Sequence, residues 1–337
     1  MKISASVYSN KEKTLEALVQ ELDRYEVDFF HIDCNDNPAV FKDIAQIRSL
    51  SKTPIDLHII TAEPEKYFDG IAETKPELVC FQYENLPSKL DLSSIQNGVT
   101  RFGLAIQADT SHLVFDDYKK NMDFILFMAT SPGKSGGTFN QNNFSKIRQF
   151  KKYYPQAKLH VDGGVNDEVS FVLRSMGVSL VVSGNYLVNA DYIGHAIHKL
   201  RSNNIASHIL VKDFMVGLSD SPVLRYDNFN FHQVLNAIEV FNMGFTMLSD
   251  ASGRLEGIIT NADVRRGLLK NITNLNLLDP VRIVNRNPAT INENCTVSEL
   301  IEKIRSLSFP ALFLPVIDDN NTIKGTITFN NLIKGEA

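Results

Sequence analysis

The sequence predicts an α/β protein in which a (β/α)8 (TIM) barrel is followed by a smaller α+β domain. Short β-like runs alternate with amphipathic, helix-like stretches over residues 1–203, and such alternation implies a parallel sheet. Eight of these runs fit into about 200 residues, which is near the lower size limit of a closed barrel. From residue 208 onward the pattern changes, and two similar units occur at about 208–270 and 281–337.

Each predicted strand of the barrel is a short apolar run. The runs are KISASVY (2–8), VDFFHID (27–33), PIDLHII (54–60), ELVCFQY (77–83), RFGLAI (101–106), DFILFMA (123–129), AKLHVD (157–162) and SLVVSG (179–184). Segments such as TLEALVQELDRY lie between most of them and carry apolar residues at helical spacing. A doubly wound open sheet is the competing architecture. It normally binds its ligand at a switch-point crevice, whereas polar residues end many of these strands.

The second domain contains an internal repeat. In each unit a strand and an apolar helix precede a hydrophobic strand pair and a motif that begins with glycine. The motifs are GIITNADVRRGL in the first unit and GTITFNNLIKG in the second. A repeat of this kind suggests two copies packed as a pair. The polar linker RSNNIASH lacks apolar periodicity, so we expect the boundary near 203–208, with domains at 1–203 and 208–337.

Composition excludes several classes of protein. The chain of 337 residues has 34 Lys and Arg against 39 Asp and Glu, a net charge of −5, which is unfavourable for nucleic-acid binding. We find no apolar run of about 18 residues and therefore expect no membrane span. The first residues lack the apolar core of a signal peptide. Cys34, Cys80 and Cys295 are odd in number and far apart, so we expect no disulfide framework and a cytoplasmic location.

Four side chains at the ends of predicted strands form a candidate cation site. Residues two apart share one face of a strand, so His31 and Asp33 project together. His58 lies near the end of the third strand, and Asp162 ends the seventh. In a barrel the carboxyl ends of the strands form one ring. A single such residue is usually structural, but the set of four suits Zn²⁺, Fe²⁺ or Mn²⁺ better than Ca²⁺ or Mg²⁺.

Three glycine-bearing loops follow the last three predicted strands. They are SPGKSGGTF (131–139), the pair Gly163 and Gly164, and SGN (183–185). Glycine lets backbone N–H groups approach an anion, and barrels often bind phosphate after strands 7 and 8. Glycines that merely permit tight turns explain any one of these loops equally well. Three neighbouring loops together favour a phosphorylated substrate.

Residues 1 to about 200 resemble the ribulose-phosphate 3-epimerase family. The resemblance is carried by KISAS, HIDCND (31–36), DLHII and EPEKY within 56–67, GLAI (103–106), SPGKSGGTF and VDGGVN (161–166). It implies one divalent metal per subunit, Zn, Fe or Mn, held by His31, Asp33, His58 and Asp162. It further implies that Asp33 and Asp162 are the acid/base pair. The substrate-binding residues that it implies are Ser6, His58, Met128, Gly133, Ser135, Gly136, Gly163, Gly164, Gly184 and Asn185.

The resemblance also implies a reaction. Inversion of a carbon next to a ketone requires a proton to leave one face and another to reach the opposite face. Two carboxylates can do this, each acting alternately as base and acid. A metal on the ketone and hydroxyl oxygens would stabilise the enediolate. We therefore expect a ketose-phosphate 3-epimerase that acts on ribulose 5-phosphate or on a longer ketose phosphate.

The chain departs from the family pattern at several places, among them the loop PGKSGG, Asn185 and three residues near strand ends. Asn35 replaces a methionine, Gln82 a histidine and His160 a glutamate. We expect these three to make the rim of the barrel more polar than usual. This expectation is one reason to keep a longer sugar phosphate open as substrate.

Residues 208–337 resemble a pair of CBS domains. In that family the threonine and aspartate of the closing motif meet phosphate and ribose, which implies a nucleotide or nucleotide-sugar at Thr260 and Asp263. The second motif offers Thr328 and Asn331 and is the weaker match. An aspartate at a helix start also caps the helix without any ligand. GIITNADVRRGLLK further resembles CBS modules attached to sugar-phosphate enzymes of bacterial surface-polysaccharide pathways.

Two hypotheses of different classes follow. The first is a metal-dependent epimerase with a nucleotide-responsive module. The alternative is a non-catalytic, nucleotide-sensing regulatory protein that keeps the barrel fold. In either case we expect a homo-oligomer that binds neither nucleic acid nor membrane.

Overall fold

The computed structural model describes residues 1–86, 90–95, 98–133, 136–202, 208–274, 278–309 and 311–329. The described residues up to 202 form one compact unit and those from 208 onward form another. The predicted boundary at 203–208 lies almost wholly outside the described ranges and stays a prediction. Within those ranges, no helix combines the length and apolarity that crossing a bilayer requires.

The first unit is a closed barrel of eight parallel strands in sequential order, so the predicted barrel is confirmed. The register places the candidate site residues at one end of the barrel, because Asp33 is the partner of His58 and Met128 is the partner of Asp162. The strands are β1 (Lys2–Ser6), β2 (Phe29–Asn35), β3 (Ile55–Ile60), β4 (Leu78–Gln82), β5 (Arg101–Ile106), β6 (Phe124–Met128), β7 (Lys158–Asp162) and β8 (Leu180–Ser183).

Helices surround the barrel at most of the crossovers. They are α1 (Leu15–Arg24), α2 (Val40–Leu50), α3 (Phe68–Thr74), α4 (Asn142–Tyr153), α5 (Asp167–Ser175), α6 (Asn185–Val188) and α7 (Ile193–Arg201). α1 shows why they form: the Thr14 side chain caps its first turn by accepting from Ala17 N at 3.2 Å. Leu18, Val19 and Leu22 are buried along one face.

Two crossovers differ from the regular pattern. Between β4 and β5, and between β5 and β6, the described residues contain only 3-10 turns, at Tyr83–Asn85, Ser93–Ile95 and His112–Asp117. The segment before the last of these begins QADTS, and the side chain of Ser111 accepts from Leu113 N at 3.3 Å. Serine and aspartate favour such local turns over continued α-helix because their side chains compete for backbone groups.

The interior of the barrel is apolar on one side and polar on the other. On the apolar side Phe124, Leu126 and Met128 of β6 pack with Cys80 and Ala105. The polar side is formed by side chains from β1 to β4 and includes the buried residues Ser4, His31, Asp56, His58 and Gln82. Buried polar groups are stable only when they are hydrogen-bonded, so this side is a network of side chains.

The second unit is an α+β domain with two sheets, in the orders β10-β11-β12 and β13-β14-β15-β9. Its elements are α8 (Val211–Phe214), β9 (Val216–Gly217), β10 (Val223–Arg225), α9 (Phe231–Phe241), β11 (Phe245–Ser249), β12 (Leu255–Thr260), α10 (Asn261–Lys270), β13 (Ile291–Asn292), α11 (Val297–Ser306), β14 (Phe313–Ile317) and β15 (Ile323–Thr328).

The two halves of the second unit are structurally equivalent. Phe245 pairs with Thr260 in the first half as Phe313 pairs with Thr328 in the second. The rings of Phe245 and Phe313 stack on each other with centroids 3.7 Å apart, so the halves share a core. The short strand β9, which precedes the first half, pairs with β15 of the second half.

Candidate active site at the carboxyl end of the barrel

Strand alternation and register bring four predicted residues together. His31 and Asp33 project from β2, His58 from β3 and Asp162 from the end of β7. One ligand atom from each residue lies within 4.8 Å of those of the other three. Both imidazoles are fully buried, whereas the side chains of Asp33 and Asp162 are 19% and 16% exposed. The carboxylates therefore face the opening and the imidazoles lie behind them.

His31 presents one nitrogen to this acid–imidazole cluster (His31, Asp33, His58 and Asp162). Its Nδ1 lies 2.9 Å from Oδ2 of Asp56, which also accepts from the Ser4 hydroxyl at 2.9 Å. A carboxylate only accepts, so the proton of the neutral ring belongs on Nδ1. Nε2 is buried without a hydrogen-bond partner. It lies 3.4 Å from Asp33 Oδ1 and 3.7 Å from Asp162 Oδ2.

His58 is oriented in a similar way by a different neighbour. Its Nε2 lies 2.9 Å from Oε1 of Gln82, and its Nδ1 lies 3.2 Å from Oδ1 of Asp33. The Nδ1 atom therefore faces the cluster, while Nε2 faces the interior of the barrel. Each imidazole thus turns one nitrogen toward the cluster and holds the other in a hydrogen bond.

Contacts within the cluster shift the pKa values of its acidic and basic groups. Burial alone would lower the pKa of His31, but the carboxylates of Asp56 and Asp33 outweigh it and raise that pKa well above its usual range. Burial opposes ionisation of Asp33 as well, yet His31 and His58 lower its pKa well below the usual range. Burial raises the pKa of Asp162 to about 6, and the charge of Asp33 adds to this shift. Two neighbouring carboxyls with opposite shifts are typical of functional sites.

The residues present fit a divalent cation. A buried nitrogen without a partner is costly, and His31 Nε2 points at the place where the two carboxylates converge. Two imidazole nitrogens and two carboxylates form the mixed donor set that Zn²⁺, Fe²⁺ or Mn²⁺ accepts. The hydrogen bonds from the opposite ring nitrogens to Asp56 and Gln82 are the outer contacts that metal-binding histidines normally have.

A cavity of about 350 Å³ opens above the cluster. Ser131, Thr138 and Asn166 make its wall polar, although the sequence analysis did not single them out. Ser135 was also predicted to bind substrate, but it lies outside the described residues. The predicted site residues that line the cavity are Ser6, Asp33, Met128, Gly133, Gly136, Asp162, Gly163, Gly164, Gly184 and Asn185.

Two glycines after β7 are required by geometry. Gly163 and Gly164 have φ values of +111° and +65°, in the region that side chains rarely adopt. A Cβ at Gly164 would lie 2.2 Å from the backbone N of Phe139, and one at Gly163 would lie 2.3 Å from Thr130 Oγ1. The loops after β6 and β7 can therefore approach each other only because these residues are glycines. The structure thus shows that these glycines permit a tight turn, and phosphate binding by this loop stays a prediction.

The expectation that three departures make the rim more polar is correct for one of them. Asn35 lines the cavity. Gln82 does not, because it is 1% exposed and bonded to His58. His160 is 5% exposed and stacks on Phe124 with centroids 4.2 Å apart, so it belongs to the core. Both side chains are therefore buried and not exposed at the rim.

Asp56 is the main site residue that sequence reasoning missed. It is 2% exposed and holds His31 in place. The signal was present, because Asp56 and His58 are two residues apart on one strand and must share its inward face. Glu84, which accepts a hydrogen bond from Gln82 at 2.5 Å, was also missed, because it lies in the turn after β4, where strand alternation gives no signal.

In the second unit, Thr260 and Asp263 bond to each other. The Thr260 hydroxyl donates to Asp263 Oδ2 at 2.6 Å, and Asp263 N donates to Thr260 Oγ1 at 3.2 Å. They form a capping box at the start of α10. The capping role is therefore observed, and nucleotide contact stays a prediction. Thr328 ends β15, and Asn331 lies outside the described residues.

Comparison with known proteins agrees with this geometry. The model of the ribulose-phosphate 3 epimerase family matches residues 2–188, which is more than half of the chain. The chain belongs to the ribulose-phosphate 3-epimerase family. Proteins of this family are isomerases, and the barrel is the part of this chain that matches them. A model of the CBS domain matches residues 281–336.

Individual relatives cover the barrel. Ribulose-phosphate 3-epimerase from Schizosaccharomyces pombe is 26% identical over 213 residues, covering 60% of this chain and 93% of its own. The enzyme of the same name from Helicobacter pylori strain 26695 is 28% identical over 218 residues, covering 60% and 97%. The solved structure of a CBS domain-containing protein from Bacillus anthracis is 15% identical with a TM-score of 0.33 and covers 38% of this chain and 92% of its own.

Proposed function

We propose that the barrel is a metal-dependent ketose-phosphate 3-epimerase. The observation that carries this proposal is the acid–imidazole cluster, in which two carboxylates and two nitrogens converge within 4.8 Å beside a polar cavity. The proposed cation is Zn²⁺, Fe²⁺ or Mn²⁺, one per subunit, held by His31, Asp33, His58 and Asp162. When bound, it would supply a Lewis acid that polarises the ketone of the substrate.

The proton steps are assigned to the two carboxylates. One removes the proton from C3 of the ketose, and the other returns a proton to the opposite face. Because the reaction is reversible, each acts as acid in one direction and as base in the other. Asp33 and Asp162 suit these roles because both line the cavity and both side chains are partly exposed to it, whereas the two imidazoles are fully buried.

The cavity supports a phosphorylated substrate. Gly163, Gly164, Gly184 and Asn185 line its side near β7 and β8, where backbone N–H groups can face a phosphate. Asn35 lines the same cavity and adds an amide that could accept or donate a hydrogen bond to a sugar hydroxyl. We include ribulose 5-phosphate and longer ketose phosphates in the proposed substrate class for this reason.

The test is proton exchange at C3 in deuterated water, followed by NMR on a panel of pentulose, hexulose and heptulose phosphates. We expect exchange with at least one of them, its loss with a chelator and its return with Zn²⁺, Fe²⁺ or Mn²⁺. If the protein binds no cation and exchanges no C3 proton, the proposal is wrong. The alternative, a non-catalytic nucleotide-sensing regulatory protein, would then stand.

For the second unit we propose binding of a nucleotide or nucleotide-sugar near Thr260 and Asp263. The proposal rests on the resemblance of the closing motif, as does a role in bacterial surface-polysaccharide synthesis. A phosphate would compete with Asp263 for the Thr260 hydroxyl, and Arg266, which is 2.5 Å from Asp263 Oδ1, lies close enough to contribute charge.

A matched pair of variants tests the nucleotide proposal. α11 begins with a capping box of the same kind, formed by Thr296 and Glu299. We expect Thr260→Ala and Thr296→Ala each to cost about 1 kcal/mol of helix stability through the lost cap. Only Thr260→Ala should weaken binding of AMP, ATP, CMP or GDP-sugars, measured by calorimetry. If wild-type protein binds none of them, the nucleotide proposal is wrong.

A further inference from the structure

A chain of hydrogen bonds leads from His58 away from the acid–imidazole cluster. His58 Nε2 lies 2.9 Å from Oε1 of Gln82, and Gln82 Nε2 donates to Glu84 Oε2 at 2.5 Å. Oε1 of Glu84 accepts from the backbone N–H of Gln107 at 2.8 Å and from the hydroxyl of Thr110. Both oxygens of this carboxylate are therefore occupied, and its position is fixed by the loop after β5.

The hydrogen bonds that link Glu84 to His58 fix the orientation of the Gln82 amide. A carboxylate only accepts hydrogen bonds, so Glu84 requires Gln82 to turn its NH₂ group toward it. The amide oxygen of Gln82 consequently faces His58, and a hydrogen bond between them requires the proton on Nε2. Nδ1 faces the Asp33 carboxylate at 3.2 Å, so without a cation both ring nitrogens face acceptors. A neutral ring has a single proton, and if Gln82 holds it on Nε2, the lone pair of Nδ1 is left for a cation.

We propose that Gln82 and Glu84 are positioning residues that hold His58 in the tautomer which presents Nδ1 to the cation. The inference rests on the proposed function, since it assigns His58 a ligand role. Glu84 acts through Gln82, because its hydrogen bonds within the described part of the chain are with Gln82, Gln107 and Thr110 and none reaches the cluster. Outer partners of this kind usually change metal affinity about 10–100-fold when they are removed.

The substitution Glu84→Gln tests the donor and acceptor order of the hydrogen bonds from Glu84 through Gln82 to His58. It keeps the shape and one oxygen for Gln107 and Thr110, but it turns an NH₂ group toward Gln82. Gln82 then places its oxygen toward residue 84 and its NH₂ group toward His58 Nε2, which favours the wrong tautomer. We expect the affinity for Zn²⁺, measured by competition with a chromophoric chelator, to fall about 10–100-fold. An affinity within about twofold of wild type would overturn the proposal.

The matched control is Glu77→Gln. Glu77 likewise accepts a backbone N–H, from Ile55 at 2.7 Å, but Ile55 begins β3, at the opposite end from the cluster. We expect its Zn²⁺ affinity to equal that of wild type. The variant Gln82→Leu removes the hydrogen bonds that connect Glu84 to His58. Adding Glu84→Gln to this variant should cause no further loss of Zn²⁺ affinity. An equal additional loss in that variant would show that Glu84 does not act through Gln82.

NMR of the Zn²⁺-loaded wild-type protein gives an independent readout. We expect a slowly exchanging proton on Nε2 of His58 and none on Nδ1, whereas the reverse assignment overturns the proposal. Neither measurement uses turnover. A protein that binds Zn²⁺ with this tautomer but epimerises no sugar phosphate would refute only the proposed function, whereas one that binds no Zn²⁺ would refute both.

Discussion

The Nδ1 atom of His31 lies 2.9 Å from Oδ2 of Asp56, its register partner on the neighbouring strand. Asp56 is a carboxylate placed deep in the barrel, where an unpaired charge would be strongly unfavourable. Its hydrogen bonds with His31 and Ser4 satisfy it there. The same pairing fixes the His31 ring and leaves Nε2 toward the cluster, so structural and chemical requirements coincide in one contact.

Asp56→Asn should therefore lower the affinity for a divalent cation. The amide is neutral and makes His31 a weaker ligand, so we expect a decrease of about 10–100-fold in Mn²⁺ affinity, measured by calorimetry. Ser4→Ala is the control, because Ser4 contacts Asp56 and not the ring, and its effect should be smaller. Unchanged affinity in Asp56→Asn would contradict the assignment.

Asp33→Asn and Asp162→Asn should each suppress proton exchange at C3. Each variant loses a proton carrier as well as a charged ligand, so the rate should fall by about 10²–10⁴-fold or more. The measurement is deuterium incorporation at C3 by NMR, with circular dichroism to confirm that the barrel remains folded. Normal exchange in either folded variant would rule that carboxylate out of the proton steps.

His160 should make the barrel sensitive to acid. Burial is the largest cause that lowers its pKa, to about 4, so the folded barrel favours the neutral ring. An unfolded histidine has a pKa of about 6.5. The stabilisation is therefore complete above about pH 6.5 and is lost as the pH falls toward 4. Relative to His160→Gln, the free energy of unfolding of wild type should fall by up to about 3 kcal/mol over this range.

Urea denaturation at several pH values, with a chelator present, measures this difference. His160→Gln also loses the stacking on Phe124, which shifts its stability at every pH. The informative quantity is thus the change with pH and not the stability at one pH. Parallel curves for the two proteins would show that His160 does not titrate in this way.

Phe245 should be essential to the core of the second unit. It is fully buried, and its ring stacks on Phe313. We expect Phe245→Ala to cost about 3–5 kcal/mol and Phe313→Ala less, since Phe313 is only partly buried. Hydrogen exchange of the amides in β11 and β14 of the full chain measures both effects. A double-mutant cycle should give a coupling of about 0.5–1.5 kcal/mol, and a value near zero would contradict the stacking.

The barrel and its four-residue cluster were predictable because both follow from local periodicity. A period of two fixes which side chains of HIDCND and IDLH share a face, and the parallel barrel fixes which end they reach. Asp56 obeys the same rule and was missed only because no motif pointed to it. For these residues, strand alternation and the parallel barrel are sufficient to predict their position.

Other features depend on contacts that no local pattern reports. His160 and Gln82 were expected at the rim, but their depth is set by Phe124 and His58 on neighbouring strands. The 3-10 turn at His112–Asp117 depends on local hydrogen bonds, such as that from Leu113 N to the Ser111 side chain, which apolar periodicity does not report. The two-residue strand β9 is too short for any pattern, and its partner lies more than 100 residues further along the chain.

The pairing of β9 with β15 has a consequence for protein engineering. Val216, in the first strand of the second unit, lies beside Thr326, in the last strand that the structure describes. Units whose first and last strands are neighbours tolerate circular permutation and insertion into another chain, because both junctions fall at one place. Joining β15 to β9 by a short linker and opening the unit at a surface turn should therefore leave both of its sheets intact.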